Sequence, residues 1–214
     1  MYNPCMPVHD KQRPAGLKRL LDPRSLPFSP GRCRGDLPHL EKEGCTYFVT
    51  FCLHDAVPSR EQRRPTIDKS TNADDVAHRS EPATSKGTCT LQRREIAAIV
   101  EGALLHFNTE RYALHAWTVM PNHVHVVVTP FDAHTLSTIL HSWKSFTAHK
   151  INKTLGRCGP VWESESFDHL IRDLLSFERF VLYTENNPVA AGLCRESGEW
   201  RFGSARLRSP GEER

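Results

Sequence analysis

From residue 46 onward, hydrophobic positions follow two alternating periods. Thr46-Tyr47-Phe48-Val49-Thr50-Phe51-Cys52-Leu53 is dense in aromatic and branched residues and reads as a strand. Between Leu91 and Phe107 the apolar residues Ile96, Ile99, Val100, Ala103, Leu104 and Phe107 recur at helical spacing. Tyr112 to Met120 is extended in pattern, Pro121-Asn122 makes a tight turn, and His123-Val124-His125-Val126-Val127-Val128 follows as the hairpin partner. A second amphipathic helix covers Thr135 to Leu155. Leu136, Ile139, Leu140, Trp143 and Phe146 form its apolar face; His141, Lys144, Lys150 and Lys153 lie on the other. Gly156 to Gly159 breaks the chain, and Val161-Trp162 through Ile171 reads as a short strand with an irregular lead-in. A third helix runs from Leu174 to Asn187 and is expected to end at Pro188, since a proline disfavours helical angles in the residue before it. The order β-α-β-β-α-β plus a final helix predicts an α+β, ferredoxin-like split βαβ fold. Its antiparallel sheet should carry helices on one face and leave the other free for function.

The flanks are different. Residues 1–36 hold several Pro, Gly and Arg without periodicity and read as a basic, irregular arm. Residues 56–90 are polar and rich in Ser, Thr, Asp and Pro, the composition of a flexible insertion. A single domain is expected over 37–204, with a disordered tail over 205–214. The 214 residues and 38% hydrophobic content suffice for one real core. No run of about 18 apolar residues indicates a membrane span, and the N-terminus has no apolar stretch of signal-peptide type. The seven scattered cysteines include no C-x-x-C pair, so reduced thiols in a cytoplasmic protein are expected. Net charge is only +3, but Arg and Lys concentrate in the N-terminal arm, including Arg32 and Arg34, and near the C-terminus at Arg195, Arg201, Arg206 and Arg208. Such basic ends suit a phosphate backbone or a merely solvated tail.

The hairpin carries the chemistry. Strand side chains alternate, so His123 and His125 share one face while Val124, Val126 and Val128 occupy the other. The two imidazoles lie about 7 Å apart along the backbone, close enough to converge on one divalent cation. A histidine pair of this kind also occurs as a surface or hydrogen-bonded pair. A catalytic metal usually needs a third ligand. Tyr183 and Asn187, four residues apart on the last helix, share a face. Asn187 can offer a carbonyl oxygen to a hard cation such as Mg²⁺ or Mn²⁺, or can simply cap the helix end. Tyr183 can act as a covalent nucleophile near a cation, or fill core space like most helical tyrosines. Of the other tyrosines, Tyr2 lies in the arm and Tyr47 and Tyr112 lie at strands.

Trp117-Thr118-Val119-Met120-Pro121-Asn122-His123-Val124-His125-Val126-Val127-Val128 resembles the HUH motif of single-tyrosine transposases, with apolar Val124 at its hydrophobic middle position. Further segments are similar to the REP-associated tyrosine transposase branch: Leu37-Pro38-His39-Leu40 before the first strand, Ser142-Trp143-Lys144-Ser145-Phe146-Thr147, Val161-Trp162-Glu163, Ser166-Phe167-Asp168-His169, and Tyr183 to Leu193. The resemblance covers roughly 34–204 apart from the 56–90 insertion, which is long for the family. It implies an enzyme that binds single-stranded or hairpin DNA and cleaves and rejoins it through a 5′-phosphotyrosine link with a divalent metal ion, Mg²⁺ or Mn²⁺. Tyr183 is then the nucleophile, and His123, His125 and Asn187 the metal ligands. Arg32, Arg34, Lys144, Lys150 and Lys153 are implied DNA contacts. Asp168 and His169 are read as packed strand-end residues that could also touch DNA. The family also implies work at the nucleoid, as a monomer or as a homodimer that exchanges the tyrosine helix. Two other functions fit the same residues: a domesticated repeat-hairpin binder without strand transfer, and a nuclease using Asn122, His123 and a water nucleophile.

Overall fold

The computed structural model describes residues 44–55, 88–131 and 133–208, and the backbone of two short strands, β1 (Arg32–Arg34) and β2 (Leu37–His39). β1 and β2 pair antiparallel, so the end of the arm and the start of the 37–204 segment form a small ribbon. The rest of the arm, residues 56–87 of the insertion, and residues 209–214 lie outside the described residues.

The domain is built from β3 (Thr46–Cys52), α1 (Arg94–His106), β4 (Tyr112–Val119), β5 (His123–Pro130), α2 (Leu136–Leu155), β6 (Phe167–Ile171) and α3 (Leu174–Ala190). The sheet order is β4-β5-β3-β6, antiparallel throughout. This is the ferredoxin-like arrangement, with the His-x-His strand and β3 at its centre. β3 is apolar at nearly every position because it is covered on both faces.

One face carries Tyr47, Val49, Phe51, Val124, Val126 and Val128 and packs on α1 and α2 in a single core. The buried stripe of α2 is Leu136, Ile139, Leu140, Trp143, Thr147 and Ile151. Phe146, expected in that stripe, is half exposed, and Lys150 Nζ lies 5.7 Å from its ring centroid. Thr147 takes the inward position instead because its hydroxyl is satisfied there. It donates to the Trp143 carbonyl at 2.6 Å and accepts the Trp162 indole N–H at 2.8 Å.

The second face is not free. α3 lies across it, and Phe180 and Val181 pack with Phe48, Ala116, Val127 and Ile171. A bulge in β4 between Leu114 and Ala116 turns His115 toward this layer. Its Nε2 lies 2.8 Å from Thr129 Oγ1, and Phe177 of α3 meets its ring edge-on.

α3 also runs past its expected stop. Pro188 lies inside the helix, and the end comes at Gly192 with φ of +70°. Gly192 N–H donates to Val189 O and Leu193 N–H to Pro188 O, the paired bonds of a glycine C-cap. A proline near the end of a helix costs one donor; the left-handed glycine is what turns the chain.

The C-terminal segment docks along β4. Val119 N–H donates to Phe202 O at 2.8 Å, and the Trp200 indole to Val119 O at 3.1 Å. Arg206 donates to both oxygens of Glu101 in α1, at 2.6 and 3.2 Å, and Glu101 also accepts the Trp117 indole N–H. Ser204 and Arg208 both donate to Glu185 Oε1 in α3, each at 2.7 Å. The docked segment includes Ser204 to Arg208, the first residues of the expected tail among them. Arg206 and Arg208 are engaged within the protein.

A buried polar pin joins α1, β4 and α2. Tyr112 Oη donates to Leu104 O at 2.8 Å, one of the last four α1 carbonyls that have no partner inside the helix, and accepts the Trp143 indole N–H at 3.0 Å. Tyr112→Phe leaves both groups buried and unpaired. A stability loss of about 1–3 kcal/mol is expected in urea unfolding, at unchanged m-value; an unchanged midpoint would contradict the pin.

Candidate active site

The site forms where α3 crosses β5. His123 and His125 are held on one face by strand alternation, opposite Cys52 and Thr50 of β3. Their Nε2 atoms converge to 3.0 Å. Each outer nitrogen has its own oxygen partner: His123 Nδ1 lies 2.7 Å from Asn122 Oδ1, and His125 Nδ1 lies 2.7 Å from Thr50 Oγ1. His125 is fully buried and His123 partly so. Burial holds His123 down at about 4 and His125 well below the usual imidazole value, His125 also through its neighbour His123. Both rings are therefore neutral near pH 7 and able to present a nitrogen lone pair.

This donor set fits a divalent cation. Adjacent ligands of an octahedral ion with bonds of about 2.1 Å are separated by about 3.0 Å, and the two Nε2 atoms have that spacing. Oxygen partners on the far nitrogens are the usual support for metal-bound imidazoles. Among the described residues, no three His, Cys, Asp or Glu side chains converge on one point.

Tyr183 enters the site from α3 in the same chain. Its ring centroid is 5.5 Å from that of His125 and 5.6 Å from that of Phe48, edge-on to both. Phe48 in turn stacks on His125 at 5.5 Å and on Phe180 at 4.8 Å. Asn187 follows one turn later, partly buried, with its backbone carbonyl accepting Ala191 N–H. His169 packs against Phe180 from β6, while Asp168 pairs with Val49 and lies on the opposite face.

The basic residues divide. Lys150 and Lys153 are exposed on α2. Lys144 Nζ is bound to the Ser164 carbonyl at 3.1 Å and to Ser166 Oγ at 3.0 Å, so it fastens the loop leading to β6. Arg32 and Arg34 lie in β1, away in sequence from every strand of the main sheet. Thr50 and Phe48 were not expected as site residues, and Asn122 was expected as a turn former and as a residue of the alternative nuclease, not as the partner of His123 Nδ1. Asn122 stands next to the motif and could have been found there, whereas the β3 pair is revealed only by strand register.

No described helix is long and apolar enough to cross a membrane. Residues 92–169, spanning α1 to the middle of β6, match the family described as "Transposase IS200 like". A curated REP-associated tyrosine transposase of Escherichia coli (strain K12) is 27% identical over 94 residues, 42% of this chain. The match spans about half of that relative, 53% of its length. A solved REP-associated tyrosine transposase, described as bound to a REP hairpin, has the same fold at a TM-score of 0.52 and 18% identity, covering 84% of each chain. The chain thus matches the IS200-like transposase family over residues 92–169 and is similar to REP-associated tyrosine transposases.

Proposed function

We propose that this protein is a metal-dependent strand transferase acting on single-stranded or hairpin DNA, with Tyr183 as the nucleophile. One observation carries the reading: two neutral imidazoles converge to 3.0 Å at their Nε2 atoms, and the Tyr183 ring lies against His125 in the same chain. His123 and His125 would hold the cation, with Asn187 as the third ligand. When bound, a divalent cation of the Mg²⁺ or Mn²⁺ type polarises the phosphodiester and eases loss of the phenolic proton.

The chain's own residues do the rest. Phe48 and His125 hold the Tyr183 ring edge-on, which restricts the phenol to a narrow range of approach. Tyr183 Oη gives up its proton as it bonds to phosphorus. The bond from phosphorus to the 3′ oxygen breaks, and that oxygen takes up a proton as a free hydroxyl. The product is a 5′-phosphotyrosine, and attack by a 3′-hydroxyl reverses the step and joins strands. The solved relative's hairpin partner supports a folded single strand as substrate. Lys150 and Lys153 on α2 and the arm residues Arg32 and Arg34 are proposed phosphate contacts.

Tyr183→Phe is expected to abolish a covalent protein–DNA adduct on denaturing gels with hairpin DNA and Mn²⁺, with DNA affinity changed less than about threefold. An adduct that persists in this variant removes Tyr183 as the nucleophile. Hairpin binding without cleavage by the intact protein, across Mg²⁺ and Mn²⁺, would instead favour a repeat-hairpin binder.

The contact between Tyr183 and His125 within one chain also supports a complete site in each protomer. Mixing Tyr183→Phe with a His123→Ala, His125→Ala double variant should therefore restore no adduct. A site shared between two protomers predicts recovery of about a quarter to a half of wild-type activity in the same mixture.

A further inference from the structure

A second concave site lies on the other face of the sheet. A cavity of about 330 Å³ sits between α2 and the segment that leads into β6. Leu140 and Trp162, both buried, belong to its apolar floor. Its polar walls include Lys144 and three carboxylates, Glu163, Glu165 and Asp168. Floor and wall are both fixed. The Trp162 indole N–H donates to Thr147 Oγ1 at 2.8 Å, and its ring meets Phe51 edge-on. Lys144 Nζ donates to the Ser164 carbonyl at 3.1 Å and to Ser166 Oγ at 3.0 Å.

The lining limits the occupant. Ligand sites hold about 300–1,000 Å³, so a volume at the low end suits one small heterocycle. The carboxylates repel phosphate, which keeps a nucleic-acid backbone out. They accept from the N–H groups of a neutral guest, and Leu140 and Trp162 offer that guest apolar surface. An unpaired base with an exocyclic amino group meets both demands. Thymine has no amino group.

The cavity is also near the histidine pair. Glu163 N–H donates to Cys52 O at 2.9 Å, and Cys52 stands opposite His123 in the strand register. Phe167 marks the boundary between the two sites. Its chain neighbours Ser166 and Asp168 line the cavity, while its own ring turns to the α3 face and meets Phe48 edge-on. That ring is 37% exposed. His125, Thr50 and Phe167 stand in one row across β5, β3 and β6. Two strand spacings, about 10 Å, therefore separate Phe167 from His125.

We propose that this cavity receives one unpaired, amino-bearing base of the DNA strand, with Phe167 as the stacking step between that base and the histidine pair. The inference rests on the single-strand DNA reading above and deepens it. The strand crosses the end of the sheet over Phe167, keeps its phosphates on the histidine side, and turns one base in beneath α2. Aromatic rings serve as such steps because every base has a π-face. The carboxylates then select the base by its donor edge. Base capture needs no cation, so it can be measured apart from strand transfer.

The test compares binding of the full chain, in EDTA, to all-thymine single strands and to the same strands carrying one guanine, adenine or cytosine. At least one amino-bearing base should bind about tenfold tighter than thymine. Ser145→Trp fills the cavity from an exposed position on α2, and Asp168→Asn removes one carboxylate. Each should cut the preference to less than about twofold and leave affinity for the all-thymine strand within about threefold. Phe167→Leu should weaken binding of both strands by about five- to tenfold. Equal affinity for all strands in the wild type, or a preference that survives in either folded cavity variant, overturns the proposal. Unchanged binding in Phe167→Leu removes the stacking step. A wild type that binds no single strand overturns the DNA reading itself. A wild type that forms the covalent adduct without any base preference leaves that reading standing and removes only the role of the cavity.

Discussion

The ring of Phe48 is the contact on which the site depends. It projects from the central strand β3 onto the second face of the sheet, stacking on His125 and Phe180 and meeting Tyr183 edge-on. One side chain thus buries a histidine and seats the helix that carries the tyrosine. Aromatic pairs of this kind contribute about 0.5–1.5 kcal/mol each beyond the area they bury, so several around one ring give α3 a defined seat. With Phe180, Val181 and the sheet residues Ala116, Val127 and Ile171, Phe48 forms a small core separate from the main one. A helix held by a small core can be fixed in register without being as rigid as the α1–α2 layer.

A second constraint comes from the C-terminal segment. Glu185 lies between Tyr183 and Asn187 on α3 and accepts bonds from Ser204 and Arg208. Glu101 on α1 holds Arg206 of the same segment and the Trp117 indole of β4. The segment therefore ties the tyrosine helix to the sheet edge and to the helix layer on the far side. Arg206 and Arg208, part of the basic end read in sequence, form ion pairs within the protein, and the buried carboxylates they meet would be costly to bury alone.

Much of this was legible in the sequence, for definite reasons. Alternation places His123 and His125 together on one face of β5, and four-residue spacing places Tyr183 and Asn187 together on α3. Both follow from local backbone periods. The split βαβ order followed from the same periods and from the Pro121-Asn122 turn. What was not legible depended on strand register and tertiary pairing. Thr50 stands opposite His125 because β3 and β5 align that way, and nothing within β3 announces it. Covering of the second face by α3, the inward Thr147 and the docked Arg206 and Arg208 have the same origin. Pro188 misled because its local rule is statistical, and the last turn of α3 tolerates one missing donor before Gly192 ends it.

The central claim is that the histidine pair and Tyr183 form one metal-centred site within a single chain. The direct measurement is paramagnetic broadening by substoichiometric Mn²⁺ in a protein labelled on the rings of His and of its four tyrosines. The account predicts that the His123, His125 and Tyr183 signals broaden together, at monomeric protein concentrations, well before Tyr112, whose hydroxyl is buried between α1 and α2. Loss of the histidine signals with the Tyr183 signal left sharp would contradict it.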